Sequence, residues 1–385
     1  MTATMLAPTD LRGAHEALAD TDGTVQIQGA TTARQWAGAP EPAETVIDTS
    51  RMTGVLAYNP ADMTVAVRAG TPLRELQAEL ARNGQRLAFD SARAGQGATV
   101  GGLVATADSG PLALAYGSMR DLVIGATVVL ADGTVARTGG HVIKNVAGYD
   151  LAKLMHGSYG AFGLLAEVVL RLHPLPSATR TVSLDCPLAT AVERATAVLA
   201  EALEPVCLEW TDGTLLVRLE GTPEGTDDRA KQLARLIGGA VLSDDDADAA
   251  WVQHADLVGK AVVRVGCRPS RLPVVLEQCR GIAVAGLGTG VGTLIVPASE
   301  VDHVHDTVTA AGGTSVTRQR PEVDARAWGQ RPSALRVLRA VKQELDPQGR
   351  LCPGRFEAWF DDKGDKDDEG DQGREPGRHD KEEHP

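Results

Sequence analysis

Apolar and polar positions alternate through much of this chain, and the alternation becomes more regular past residue 176. In the first half, Val25-Gln26-Ile27-Gln28 steps between apolar and polar and stops at Gly29, which predicts a strand running into a turn. Residues 46–48 and 64–69 predict two more strands, the second closed by Gly70. Thr71-Pro72 then predicts a helix start, with Thr71 as N-cap and the proline in the first turn. Leu73, Leu76 and Leu80 give that helix one apolar face, and Asn83-Gly84 ends it. Residues 122–130 and 134–138 read as strands on either side of an Asp132-Gly133 hairpin turn. The pattern is α+β rather than strict β-α-β alternation.

In the second half, residues 180–185 predict a strand, 188–203 a helix, 206–210 and 215–220 two strands across Asp212-Gly213, 227–237 a helix and 240–242 a short strand. That order is the split unit β-α-β-β-α-β. It recurs with strands at 261–266, 282–285, 292–296 and 314–317 and helices at 270–280 and 301–311, so two units can share one sheet. Residues 332–345 predict a final helix, broken by Asp346-Pro347-Gln348-Gly349.

A net charge of −13 argues against a nucleic-acid partner. Residues 361–385 hold eleven acids and five bases, which is −6 of that total, and offer nothing apolar to bury. They read as a disordered acidic tail (357–385 with its approach). Five cysteines without a C-x-x-C read as buried or inert thiols in a reducing cytoplasm, with no cluster or disulfide framework. Residues 1–10 lack the basic and apolar regions of a signal peptide, and no stretch reads as a transmembrane segment.

The G-x-G-x-x-G and G-x-x-x-x-G-K-[S/T] motifs are absent, which disfavours NAD on a Rossmann fold and ATP on a P-loop. Three other segments combine into one candidate cofactor site. The turn Gln28-Gly29-Ala30-Thr31-Thr32 can present backbone N–H groups and hydroxyls to an anion, or be a plain strand-end turn. Residues 95–110, G-Q-G-A-T-V-G-G-L-V-A-T-A-D-S-G, supply unhindered donors. Residues 141–174 set Lys144, Asn145 and Tyr149 beside Ala147-Gly148, ahead of Gly157, Gly160 and Gly163 and a strand over 164–172. Glycines there let main chain approach a flat or charged group.

The order K-N-V-A-G-Y-D-L … G-S-x-G-x-x-G-x-x-x-E-V resembles the FAD-binding domain of the vanillyl-alcohol-oxidase class, the PCMH-type FAD domain, over residues 17–176. The resemblance implies a PCMH-type FAD-binding domain over 1–176, followed over 177–356 by a ferredoxin-like cap of repeated β-α-β-β-α-β units. It implies that Gly29, Ala30, Thr31, Thr32 and Ala98, Thr99, Val100, Gly101, Gly102 hold the pyrophosphate. Ala105, Thr106, Ser109 and Gly110 would approach the flavin or its ribityl chain. Gly163 and Val168 would offer main chain to the adenine side, and Lys144, Asn145 and Tyr149, beside Ala147-Gly148, read as fixing either a flavin edge or a structural turn. The usual R-G-G-G-[T/S/H] turn has lost two glycines here and carries no histidine, which implies non-covalent FAD. Residues 342–356 resemble the family's closing D-P-x-x-x-x-N-P-G motif, with Cys352 in place of the asparagine.

Residues 64–73, 98–111 and 144–151 are similar to the FAD-binding subunits of bacterial glycolate oxidases. That likeness implies oxidation of a small 2-hydroxy acid, glycolate to glyoxylate, beside a second flavoprotein subunit and an iron–sulfur subunit that takes the electrons. The implied location is the cytoplasm, with peripheral membrane association through the complex left open. A non-catalytic flavin-binding scaffold and a stand-alone FAD oxidoreductase for another alcohol remain open alternatives. Sequence alone assigns no catalytic residue and no metal. His303 and His305 read as solvated, His141 and His156 as packing or surface residues, and Arg264 and Arg268 as surface charge, with a place facing the flavin from the second domain as the alternative.

Overall fold

The computed structural model describes residues 3–141, 150–320 and 325–360. Lys144, Asn145, Gly148 and Tyr149, and the tail from 361 onward, lie outside the described residues. The first half builds two main sheets. Three parallel strands lie in the order Thr4–Leu6, Thr45–Asp48, Val25–Gln28. Five antiparallel strands follow the order Val55–Asn59, Thr64–Arg68, Leu164–Arg171, Val123–Val129, Val135–Gly139. Val65, Val67, Val168 and Leu170 of the inner strands pack with Leu73, Leu76 and Leu80 of the helix Leu73–Ala81. Each such buried Val or Leu contributes about 1.5–3 kcal/mol.

That helix corrects one expectation. Pro72, not Thr71, is its N-cap, and no side chain caps it. Thr71 Oγ1 instead donates to the Arg68 carbonyl at 2.7 Å and accepts from the Gly54 N–H at 3.0 Å. The hydroxyl closes the turn behind the strand and is not available to the helix.

The second half forms one antiparallel sheet of eight strands, in the order Ala240–Val241, Ala178–Asp185, Thr214–Gly221, Cys207–Thr211, Ile282–Gly286, Val291–Ile295, Val263–Gly266, Thr314–Thr317. Each split unit contributes four neighbours, and the units meet where Trp210 pairs with Ala285. Successive side chains of a strand point to opposite faces. Val182, Leu208, Val217, Val263, Ala285 and Leu294 therefore form one apolar core, closed by the helices Leu188–Ala200, Pro223–Ile237, Leu272–Gln278 and Val301–Ala310. The alternate positions, among them Arg218, Glu209, Thr293 and Arg264, lie on the other face.

A sixteen-residue helix that the sequence pattern did not announce, Asp244–Gly259, lies on that polar face. Ser243 caps it by accepting the Asp246 N–H at 3.2 Å, and Asp244, Asp245 and Asp246 fill its first turn, where carboxylates suit the helix dipole. Trp251 Nε1 donates to Thr181 Oγ1 at 3.0 Å. His254 is the one residue of this helix that is fully buried, and Ala247, Ala250, Trp251, Ala255 and Val258 are half-buried along the same side.

His305 is a further correction. It is 0% exposed, with Nδ1 2.7 Å from Ser315 Oγ and Nε2 3.0 Å from the Arg326 carbonyl, and burial lowers its pKa. Residues 301, 304, 305 and 308 make the buried stripe of the helix Val301–Ala310, which takes His305 inward and leaves His303 exposed.

The chain then returns to its first half. Leu338, Val341 and Leu345 of the helix Leu335–Leu345 pack on the core around Val65 and Leu80. Val25 N–H donates to the Arg350 carbonyl and Cys352 N–H to the Val25 carbonyl, both at 2.8 Å, so the closing run extends the parallel sheet. Packing thus separates residues 335–356 from the eight-stranded sheet, although sequence order joins them to it.

A second tie joins the halves. Arg86 grips both oxygens of Glu220, with Nη1 to Oε1 at 2.8 Å, and Tyr116 donates to Glu220 Oε2 at 2.8 Å. The side chains of Arg86 and Glu220 are 12% and 6% exposed, so removing one leaves the other charge buried and unpaired. Glu220→Ala is expected to cost about 3–5 kcal/mol, measured as a lower midpoint in urea, while Glu220→Gln recovers part of the loss.

Candidate functional site

A cavity of about 880 Å³ opens where the strand Val25–Gln28 ends. Its wall runs through the turn 28–34, the helix Val100–Ala105 and the turn 158–163. Arg34, Arg93 and Arg355 line it, and no carboxylate does among the described residues. Hydroxyls of Thr31, Thr32, Thr49, Thr99, Thr106, Ser158 and Tyr159 add polar contacts, and Ile27, Ala69 and Leu165 give an apolar floor. This donor set fits a group with a diphosphate and flat apolar parts. Neither histidine nor cysteine lines the cavity among the described residues.

The turn holds its shape at a cost. Thr31 has φ 56°, in the left-handed region that disfavours a β-branched residue. Backbone N–H groups of Ala30, Thr31 and Thr32 have no protein partner among the described residues. The helix segment differs. Ala98 N–H donates to the Arg93 carbonyl, Val100 to Thr71, Gly101 to Ala69 and Gly102 to Thr99 Oγ1. Four of the five main-chain donors expected there for a pyrophosphate are already committed to the protein, and the Thr99 N–H alone has no protein partner among the described residues.

Beside the cavity lies a buried charge cluster. Asp108 Oδ2 accepts from Arg93 Nε at 3.1 Å and Ser91 Oγ at 2.6 Å, and Oδ1 accepts from Arg318 Nη2 at 3.0 Å. Arg93 also reaches Thr32 Oγ1 at 3.0 Å and Thr106 Oγ1 at 2.8 Å. The guanidinium carbons of Arg93 and Arg318 sit 4.1 and 4.0 Å from the centre of the Trp36 ring. Burial works to raise the Asp108 pKa, but the two guanidiniums outweigh it and hold the carboxyl below its usual range. Burial lowers Arg318 to about 10, against the pull of Asp108, so it stays charged at neutral pH.

A second cavity, of about 740 Å³, lies between residues 90–92 and 109–111, the helix Asp244–Gly259 and the polar face of the eight-stranded sheet. Arg318 and Ala92 line both this cavity and the space over Trp36 and Arg93. Arg264 turns inward, against the expectation of surface charge, and its Nη2 donates to Ser109 Oγ at 3.2 Å. Its strand alternation explains the correction: Val263 and Val265 take the core face, which leaves Arg264 facing the first half. Arg268 is exposed. His254 Nε2 stands 3.4 Å from Glu209 Oε2, both side chains under a tenth exposed. Asp90 accepts the Leu112 N–H at 2.9 Å.

The structure brings Gly29, Ala30, Thr31, Thr32, Thr99, Gly101, Gly102, Ala105, Thr106 and Gly163 to the first cavity. Ser109 and Gly110 line the second. Ala98, Val100 and Val168 lie in the core and line neither. His141 bonds Thr64 Oγ1 at 2.8 Å in the outer sheet. His156 is kept neutral by burial, with Arg264 next, which lowers its pKa to about 4. Sequence reading missed Arg34, Arg93, Arg318, Arg355, Asp90, Asp108, Arg218 and His254. Isolated charged residues between strands carry no motif, and only the sheet alternation marks Arg218 and Arg264 as sharing a face.

Asp90 yields a pH prediction. Burial raises its pKa from 3.8 to about 6, opposed by the Leu112 N–H, Arg218 and His254 and aided by Glu209. Between these values the carboxyl is protonated only in the folded chain, so stability falls as pH rises from about 4 to 6, and the penalty persists above. Asp90→Asn is expected to stabilise the chain by about 1–3 kcal/mol at neutral pH, measured by urea unfolding, with a gain that shrinks below pH 6.

Comparison with known proteins agrees with this geometry. The FAD binding domain family matches residues 7–139. The chain is 31% identical over 358 residues to the glycolate oxidase subunit GlcE of Escherichia coli (strain K12), covering 90% of this chain and 96% of that protein. It is 41% identical over 152 residues to the mitochondrial D-lactate dehydrogenase [cytochrome] of Arabidopsis thaliana, but covers only 26% of that protein. It is 31% identical over 210 residues to the glycolate oxidase subunit GlcD of Bacillus subtilis (strain 168), covering 53% of this chain and 45% of that one. A solved structure of alkyldihydroxyacetonephosphate synthase superposes with a TM-score of 0.66 over 91% of this chain and 75% of that one, at 16% identity, and so shares the fold. The chain belongs to the family of the glycolate oxidase subunit GlcE and is an FAD-dependent oxidoreductase.

Proposed function

We propose that this chain is the FAD-binding subunit of a glycolate oxidase complex, oxidising glycolate, or a close 2-hydroxy acid, to the 2-oxo acid. The observation that carries this reading is a cavity with three arginines, many hydroxyls and no carboxylate among the described residues, in a chain that matches GlcE almost end to end. Arg34, Arg93 and Arg355 balance the diphosphate of FAD, and the N–H groups of residues 30–32 supply directional donors. Gly102 leaves the wall open beside them. When bound, FAD supplies the hydride acceptor, and the protein supplies position and field. That neither histidine nor cysteine lines the cavity among the described residues supports non-covalent binding.

The reading treats residues 1–176, completed by the return of 335–356, as the FAD-binding unit and the eight-stranded sheet as its cap. It places the chain in the cytoplasm, with a second flavoprotein and an iron–sulfur protein as partners, the latter taking the electrons. Among the described residues no helix is long and apolar enough to cross a membrane. Arg218, half-buried on the cap's polar face with its Nε unpartnered among the described residues, favours a catalytic subunit over a scaffold, because a scaffold has no use for such a cation facing a cavity.

Acid precipitation of the purified chain is expected to leave the flavin in the supernatant, and anaerobic glycolate to bleach the flavin of the native chain or its complex. A colourless native protein would refute the reading, and flavin that is never bleached, alone or in the complex, would leave a scaffold. The two neighbouring glycines separate binding from folding. A Cβ at Gly101 would stand 2.6 Å from the Ala69 Cβ and 3.0 Å from its carbonyl, whereas one at Gly102 meets only Thr99 Oγ1 at 3.0 Å. Gly102→Val is expected to cut flavin content severalfold with a small change in the melting point of the flavin-free chain. Gly101→Val is expected to lower that melting point strongly, because the helix and strand must move apart.

A further inference from the structure

The second cavity contains cations that the protein leaves unused. Arg218 Nε is buried without a hydrogen-bond partner among the described residues, and its guanidinium carbon lies 4.1 Å from the centre of the Trp251 ring. Arg318 Nε and Thr293 Oγ1 are also buried and unpartnered, and both residues line the same cavity. Among the described residues Arg264, the strand partner of Thr293, has a single hydrogen bond, to Ser109, and its Nε is unpartnered too. Arg218 and Arg318 thus line the cavity with one carboxylate among the described residues, Asp90, while Arg93, Arg264 and Asp108 stand outside its lining and Asp108 is already shared by Arg93 and Arg318. Glu209 is taken by His254. Buried donors of this kind cost free energy unless something accepts from them.

We propose that this cavity is the binding site for a small carboxylate, with Arg218, Thr293 and Arg318 as its anchors and Trp251 as the platform that holds Arg218. The inference rests on the reading above for the identity of the acid, but the charge argument stands on the cavity alone. A planar guanidinium fixed over an aromatic ring offers its free edge to two carboxylate oxygens, which a lysine cannot match. The polar face of the sheet supplies Arg218 and Thr293, because strand alternation commits the other face to the core, and Arg318 follows directly on the edge strand Thr314–Thr317. Ser109 and Gly110 border the cavity, next to the segment that lines the first cavity at Ala105 and Thr106. A carboxylate there lies beside the FAD-binding unit and not inside it. Among the described residues no group of His, Cys, Asp or Glu is placed to hold a metal, so the anchors on hand are the guanidiniums.

The test is calorimetric titration of the flavin-loaded full chain with oxalate, with ethylene glycol as the uncharged control. Oxalate is expected to bind and ethylene glycol not. Arg218→Met should weaken oxalate at least about tenfold, the loss of one charged hydrogen-bonding group. Arg218→Lys should recover only part of it. Thr293→Val, a smaller change on another strand, should weaken it about threefold and serves if Arg218→Met does not fold. Equal oxalate affinity in Thr293→Val and a folded, flavin-loaded Arg218→Met overturns the proposal, as does a wild-type chain that binds flavin but no oxalate. Failure to hold flavin at all overturns the reading of the first cavity instead, which keeps the two failures apart.

Discussion

Asp108 is the constraint around which both cavities are arranged. A carboxylate at 3% exposure is untenable alone, and it draws one guanidinium from each half of the chain. Arg93 comes from the first half and continues to Thr32 and Thr106, so the same ion pair fixes the turn and the helix end of the first cavity. Arg318 comes from the end of the eight-stranded sheet, so the pair also sets how that sheet meets the FAD-binding unit. Trp36 lies against both guanidiniums and keeps the cluster dry. Removing Asp108 leaves two buried guanidiniums without their carboxylate, whereas removing either arginine leaves Asp108 paired with the other. The cluster is better understood as a device for specifying one arrangement than as a source of net stability.

The second constraint is the two-faced sheet. An antiparallel sheet with helices on one side has its apolar residues on that side and polar ones on the other. In most proteins the polar face meets water. Here the first half and the helix Asp244–Gly259 cover it, so Arg218, Arg264, Glu209 and Thr293 are enclosed without a core to join. Enclosure turns surface chemistry into site chemistry, since charges in such a space interact more strongly than in water. The raised Asp90 and the lowered Arg264 are both consequences of that enclosure.

Strands were legible because alternation survives in them: Val25–Gln28 and the repeated split units fall where the pattern puts them, within a residue or two at most ends. The helix Asp244–Gly259 was not, although Ser243 followed by three aspartates is a start signal, because small alanines and a histidine make up much of its covered side and Val252 stands exposed, which weakens the apolar periodicity. The glycine-rich segments pointed to the right cavity but for mixed reasons. Gly102 opens onto it, whereas Gly101 is required by the approach of Ala69, and a sequence does not distinguish a glycine that faces a ligand from one that faces a strand. The arginines were illegible because their meaning depends on which strands become neighbours. Arg264 acquires a role only when the sheet sets it opposite Ser109, some 155 residues earlier in the chain.

The departure of the turn from its glycine-rich relatives has a physical resolution in the closing run. Losing glycine at Thr31 leaves a left-handed residue that the local sequence does not favour. The far end of the chain holds it from outside. Arg355 Nη1 donates to the Trp36 carbonyl at 2.6 Å and the Gly38 carbonyl at 2.9 Å, and Arg320 reaches the carbonyls of Arg34 and Ala37. Asp346 sets that end by accepting the Arg350 and Leu351 N–H groups, and Lys342 ties Asp346 to the Ala161 carbonyl. The guanidiniums that clamp the turn also make its surroundings cationic, so one set of residues replaces both the conformational freedom and some of the anion-binding capacity that glycines would provide. The first cavity therefore depends on distant parts of the chain: its wall runs from residues 26–34 through Thr99–Thr106 and Ser158–Leu165 to Arg355, more than three hundred positions after the turn it clamps.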